Sequence, residues 1–99
     1  VEEILEKVGV VMALTPGTIK VWFESGQAMG KDYMIIVCDT FSYEDYPVYA
    51  HGNGDFLEKY SRYNGKNMQR IMEVYDLNMD METQLDETRA FHGPEGFVF

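Results

Sequence analysis

A chain of 99 residues, 45% hydrophobic and 14% aromatic, is long enough for one folded core and too short for a deep two-lobed active site. Eight bases against seventeen acids give a net charge of −9, which disfavours direct binding to nucleic-acid phosphates or anionic membranes. The lone cysteine, Cys38, excludes an internal disulfide framework and fits a reducing, cytoplasmic setting. No apolar run approaches the roughly 20 residues of a membrane span. The expectation is a single small acidic domain over residues 1–99, and its start at Val1 fits a chain trimmed from a longer one.

Taken in order, Ile4, Leu5, Val8, Val11 and Met12 have helical spacing and predict a helix over residues 2–12, weakened at Gly9. LTPGT breaks it. TIKVWFES alternates, with Ile19, Val21 and Phe23 on one side, and reads as a half-buried strand. After the turn-rich SGQAMGKD, the continuously apolar YMIIVC predicts a central strand buried on both faces. DTFSYEDY reads as a polar, aromatic loop and PVYAH as a third strand, with Pro47 confining its start to an edge or a strand end.

Asp55 is placed to cap a helix carrying Phe56, Leu57, Tyr60 and Tyr63, which Asn64-Gly65 ends. QRIMEVYDL fits both periods; a strand is favoured because Asp76 would oppose the dipole at a helix end. A last helix over residues 79–91 stops at Gly93-Pro94. The expected fold is α+β: about four mostly antiparallel strands with helices packed on one face, in the order α-β-β-β-α-β-α.

The acids are unevenly spread. Residues 32–58 and 71–88 each hold six acids and no Lys or Arg, so these two stretches carry −12 and the rest of the chain +3. In the first, Asp39, Glu44 and Asp45 are interleaved with Phe41, Tyr43, Tyr46 and Tyr49, and tyrosines offer large contact area with few rotors to freeze. The second contains DLNMDMETQLDE, where Asp76, Asn78, Asp80, Glu82, Gln84 and Glu87 follow the oxygen spacing of a calcium loop. Met81 occupies the place where such a loop needs glycine, so the run reads better as a strand exit and an acidic helix start, capped by Asn78 or Asp80.

Function is expected from binding, not catalysis, and no cofactor is implied. The partner is a protein with a basic surface, contacted by Asp39, Tyr43, Glu44, Asp45 and Tyr46 and by a second acidic surface of Asp80, Glu82, Asp86 and Glu87. In composition the chain is similar to small acidic inhibitors encoded by phages and other mobile elements, which present carboxylates to a nucleic-acid-binding groove. Two alternatives stand beside this: a calcium protein using Asp76, Asn78, Asp80 and Glu87, and a small cysteine hydrolase pairing Cys38 with His51 or His92. Against the last, Cys38 ends an apolar strand and precedes Asp39, a setting that raises a thiol pKa. No zinc-type ligand spacing or phosphate-binding glycine loop is present.

Overall fold

The computed structural model describes residues 15–99. Within them the elements run α1 (Pro16–Ala28), β1 (Tyr33–Asp39), β2 (Glu44–Ala50), α2 (Gly52–Tyr63), β3 (Gln69–Asp76) and α3 (Met81–Leu85). The fold is α+β, built on a three-stranded sheet in the order β2-β1-β3 with β1 antiparallel to both neighbours. The helix expected over residues 2–12 lies outside the described residues.

β1 is the centre of the molecule. Its Met34, Ile35, Ile36 and Val37 are fully buried, because both faces of the strand are covered. On one face, Met34 and Ile36 pack with Ile19 and Phe23 of α1, Tyr75, Leu77 and Ala90, and with Met81 and Leu85 of α3. On the other, Ile35 and Val37 pack with Phe56 of α2, Ala50, Ile71 and Val74, ringed by Tyr46, Tyr60, Tyr63 and Phe97. Helices therefore lie on both faces, where the sequence pattern led to one. A central strand apolar on every side needs two lids.

The expected strand at residues 18–25 is the helix α1, and this leaves three strands instead of four among the described residues. Ile19 and Phe23 satisfy both periods, being four apart. Val21 decides between them: a strand would bury it beside its neighbours, and it is 59% exposed. The start signal lies within LTPGT, which reads as a breaker. Thr15 is the N-cap and its hydroxyl accepts the Thr18 N–H at 3.2 Å, while Pro16 sits at the first helical turn, where a missing N–H costs nothing. Gly26 then lets α1 lie close on the sheet. A Cβ there would come within 2.7 Å of the Tyr49 ring and 2.8 Å of Leu77.

β2 begins earlier than expected, at Glu44, and Pro47 falls in its middle opposite Ile36. β2 is an edge strand, and a proline there keeps the register only if its nitrogen faces away from β1. The opposite edge is closed, since the Val74 N–H donates to Ala90 O and the His92 N–H to Val74 O, both at 2.9 Å. α2 starts at Gly52, not at Asp55; the Asp55 carboxylate reaches back from the first turn to accept the His51 N–H at 2.9 Å and is held by Lys59. The Lys59 ammonium, then that backbone bond, lower the Asp55 pKa. The last helix is much shorter than residues 79–91, ending at Leu85 so that the chain can turn and lie along β3. No helix among the described residues is long and apolar enough to cross a membrane.

Phe56 is fully buried at the meeting of Tyr33, Tyr60 and Phe97, with ring centroids 5.0, 5.7 and 5.2 Å away. Phe56→Ala is expected to cost about 3–5 kcal/mol, read as a drop in the urea midpoint of unfolding.

Candidate functional site

The register separates Asp39, Glu44 and Asp45 from the Asp76–Asp80 turn, while Asp32 of the first acidic stretch lies beside the second. β1 runs from Tyr33, beside Ala50 and Asp76, to Asp39, beside Glu44 and Gln69. Asp39, Glu44 and Asp45 thus stand at one end of the sheet. Asp76 and the turn leading to Asp80 stand at the other, roughly 20 Å away at the rise of a strand.

At the Asp39 end, residues 40–43 form the β1–β2 turn. The Asp39 carboxylate accepts the backbone N–H groups of Phe41 at 2.9 Å and Ser42 at 3.4 Å, and its carbonyl accepts the Tyr43 N–H at 2.6 Å. Asp39 therefore builds the turn, through one carboxylate oxygen and its carbonyl. Tyr46 is also structural: its hydroxyl accepts from Gln69 Nε2 at 2.6 Å, and its ring stands edge-on to Tyr63 in the core under α2. Asp45 faces Cys38 across the ladder, half-buried, and its Oδ1 is buried without a hydrogen-bond partner among the described residues. Of the five residues expected here as contacts, only Tyr43 and Glu44 are exposed.

Two further residues join them. Phe41 is 76% exposed and Tyr43 72%, on a turn fixed by five atoms of hydrogen-bonded backbone and carboxylate rather than a loose loop. Met68, 59% exposed, is tied to the same place because both the amide and the hydroxyl of Thr40 donate to its carbonyl, at 2.7 and 2.9 Å. The backbone here is strained: Tyr43, Asn67 and Met68 have φ of 61°, 54° and 60°. A side chain in the left-handed region costs on the order of 1 kcal/mol, and such residues gather where function over-determines the backbone. Lys66 and Arg70 lie at this end too, so the patch is distinguished by its exposed apolar side chains and not by its charge. Phe41 is visible in DTFSY as one aromatic among several; Met68 matches helical spacing with Ile71, Met72 and Tyr75, and its place beside the turn comes from the pairing of Asp39 with Gln69 and the Thr40 bonds to its carbonyl.

At the other end, the residues spaced like a calcium loop are each engaged separately. Asp76 accepts the Asn78 N–H at 2.9 Å, the Asn78 amide donates to Asp32, Asp80 caps α3 through the Thr83 N–H and hydroxyl, and Glu87 bonds His92 at 2.8 Å. These bonds hold Asp80 and Asp32 below the usual carboxylate range, through Thr83 for Asp80 and through Asn78 and then Gly52 N–H for Asp32. The middle of the loop is filled by Gln84. Its fully buried amide accepts the Asp76 N–H at 2.8 Å and donates to the carbonyls of Asp76 at 2.9 Å and Asp80 at 3.1 Å. Glu82 and Asp86 are exposed beside it. No group of three or more His, Cys, Asp or Glu residues able to hold a metal occurs among the described residues.

Cys38 is buried, and burial, then the charge of Asp45, push its thiol pKa up. His51 follows β2 at the opposite end of the sheet, 3.5 Å from Asp32, and His92 is bonded to Glu87. The geometry brings neither histidine to the thiol.

Gln84→Ala is expected to cost about 2–4 kcal/mol, because it orphans a buried N–H and two carbonyls and leaves a void, measured by urea unfolding. Native Cys38 is expected to react with a thiol reagent at least roughly tenfold more slowly than in the unfolded chain at about pH 8, since both burial and the raised pKa deplete accessible thiolate.

No protein-family model matches this chain, and neither the curated proteins nor the solved structures include one that matches it.

Proposed function

We propose that the chain is a small acidic protein-interaction module that binds through the β1–β2 turn. The observation that carries this reading is that Phe41 and Tyr43, 76% and 72% exposed, are held outward on a hydrogen-bonded and strained turn beside exposed Met68. A chain this small is short of core volume, and aromatic side chains left outside it are an apolar surface awaiting a partner. The bonded turn freezes the contact residues beforehand, which lowers the entropy cost of docking.

The partner is a protein with a basic surface of the kind that otherwise takes nucleic acid, and the action is steric. Phe41, Tyr43 and Met68 supply the buried contact, with Glu44 as a neighbouring carboxylate. The net charge of −9 acts at longer range, raising the rate of encounter. Asp80, Glu82, Asp86 and Glu87 belong to this general field, because the sheet separates α3 and its flanks from the turn. The role needs no catalytic group and no cofactor, and free Cys38 suits the cytoplasm.

A photo-cross-linking residue at position 41 identifies the partner, and binding kinetics with the purified partner then test the surface. Phe41→Ala with Tyr43→Ala is expected to weaken binding tenfold or more through a faster off-rate, as for central aromatic anchors. Glu44→Lys is expected to slow association at low salt. Unchanged affinity in the folded double variant would overturn the reading.

A further inference from the structure

The β3 ladder contains a bulge. Ile36 pairs with Glu73, but the next residue, Val37, pairs with Ile71, so Met72 is an extra residue on β3. Bulges re-aim side chains and are frequent beside binding sites. Here, Ile71 and Val74 stay in the core under α2, while Met72 and Tyr75 pack on the α1 side. Glu73 follows them, its carboxylate accepting the Tyr75 hydroxyl at 2.8 Å. An acid that plain alternation would have aimed under α2 is turned toward α1.

It turns into a cleft of about 320 Å³ between α1, β3 and the segment after α3. Ile19, Met72, Leu85 and Tyr75 give it apolar lining, and Glu73 and Glu87 bring carboxylates to it. That size is at the lower end of the roughly 300–1,000 Å³ of ligand pockets, and the lining has the expected mix of apolar wall and few polar groups. Arg89 also lines it; its guanidinium donates to Met72 O at 2.8 Å and lies 5.1 Å over the Phe91 ring. Glu87 spends one oxygen on His92 and keeps the other. Glu73 accepts one bond on each oxygen, from Tyr75 and from the Ala90 N–H at 3.3 Å, and a carboxylate oxygen accommodates two.

We propose that this cleft takes an alkylammonium group: an apolar stem of a few carbons on Ile19, Met72 and Leu85, with its ammonium donating to Glu87 and Glu73. Two carboxylates against one guanidinium leave the lining net negative, which sets the sign of the ligand, and the apolar side chains of the lining set its shape. An ammonium between Glu73 and Glu87 is paired as it leaves water, which a lone charge in such a cleft would not be. The group arrives either as a free amine or as a lysine side chain of another protein. The proposal stands without the reading of the β1–β2 turn, which lies on a different part of the sheet.

The test is titration of the ¹⁵N-labelled 99-residue chain with cadaverine, with Nα-acetyl-lysinamide and with pentan-1-ol as the uncharged control, following amide shifts. Saturable shifts at Glu73, Tyr75, Glu87 and Arg89 with a Kd of about 1 mM or tighter for an amine, absent for the alcohol, are expected. The tighter of the two amines assigns the source. Glu87→Gln keeps a hydrogen-bond partner for His92 and is expected to weaken amine binding roughly tenfold or more while leaving the rest of the spectrum in place. Absence of saturable shifts up to about 10 mM amine, an equal response to pentan-1-ol, or undiminished binding by Glu87→Gln would each overturn the proposal.

Discussion

The structure depends on burying one strand from both sides. Met34 to Val37 present apolar side chains to each face of the sheet, and neither face can be left to water. α1 and α3 cover one side and α2 the other, so the chain must cross the sheet after β2 before returning as β3. With β1 between them, β2 and β3 run parallel to each other. That single requirement fixes which strand is central, sends β2 to the edge where Pro47 is tolerated, and leaves Asp39 and Glu44 at one end of the sheet and Asp76 at the other.

Much of this was legible in the residues. The unbroken YMIIVC run marks the central strand, Pro47 marks an edge, and the Asn64-Gly65 pair ends α2, with Gly65 at φ 74°. QRIMEVYDL is a strand as its charge pattern suggested, although its bulge was not readable because a bulge shifts the alternation without changing composition. α1 resembles a strand in sequence for a definite reason. Ile19 and Phe23 are four residues apart, which two strand repeats and one helical turn share, and Thr15-Pro16 reads as a breaker although it is a cap followed by a first-turn proline.

The site was legible only in outline. The β1–β2 turn was recognisable as aromatic and acidic, but sequence could not tell which acids face inward. Asp39 is consumed by the turn that it creates, and Asp45 by its position opposite Cys38. Met68 entered from a distant part of the chain. The calcium-like spacing of residues 76–87 has a physical counterpart of another kind. The buried Gln84 amide bonds the backbone carbonyls of Asp76 and Asp80 with donors fixed in direction. The twelve-residue pattern counts Gln84 as one oxygen ligand among six, whereas its amide is turned inward onto the backbone of Asp76 and Asp80.

The left-handed backbone at Tyr43 and Met68 carries one more implication, for anyone reshaping this protein. Glycine or asparagine would sit there with less strain, so a library ranked only by heat resistance would drift toward small residues at those two positions. The same drift would strip the aromatic and thioether groups from the tip of the sheet. Thermal robustness and the outward-facing surface pull these positions in opposite directions, and a hardened variant would be the wrong reagent with which to look for what the protein touches.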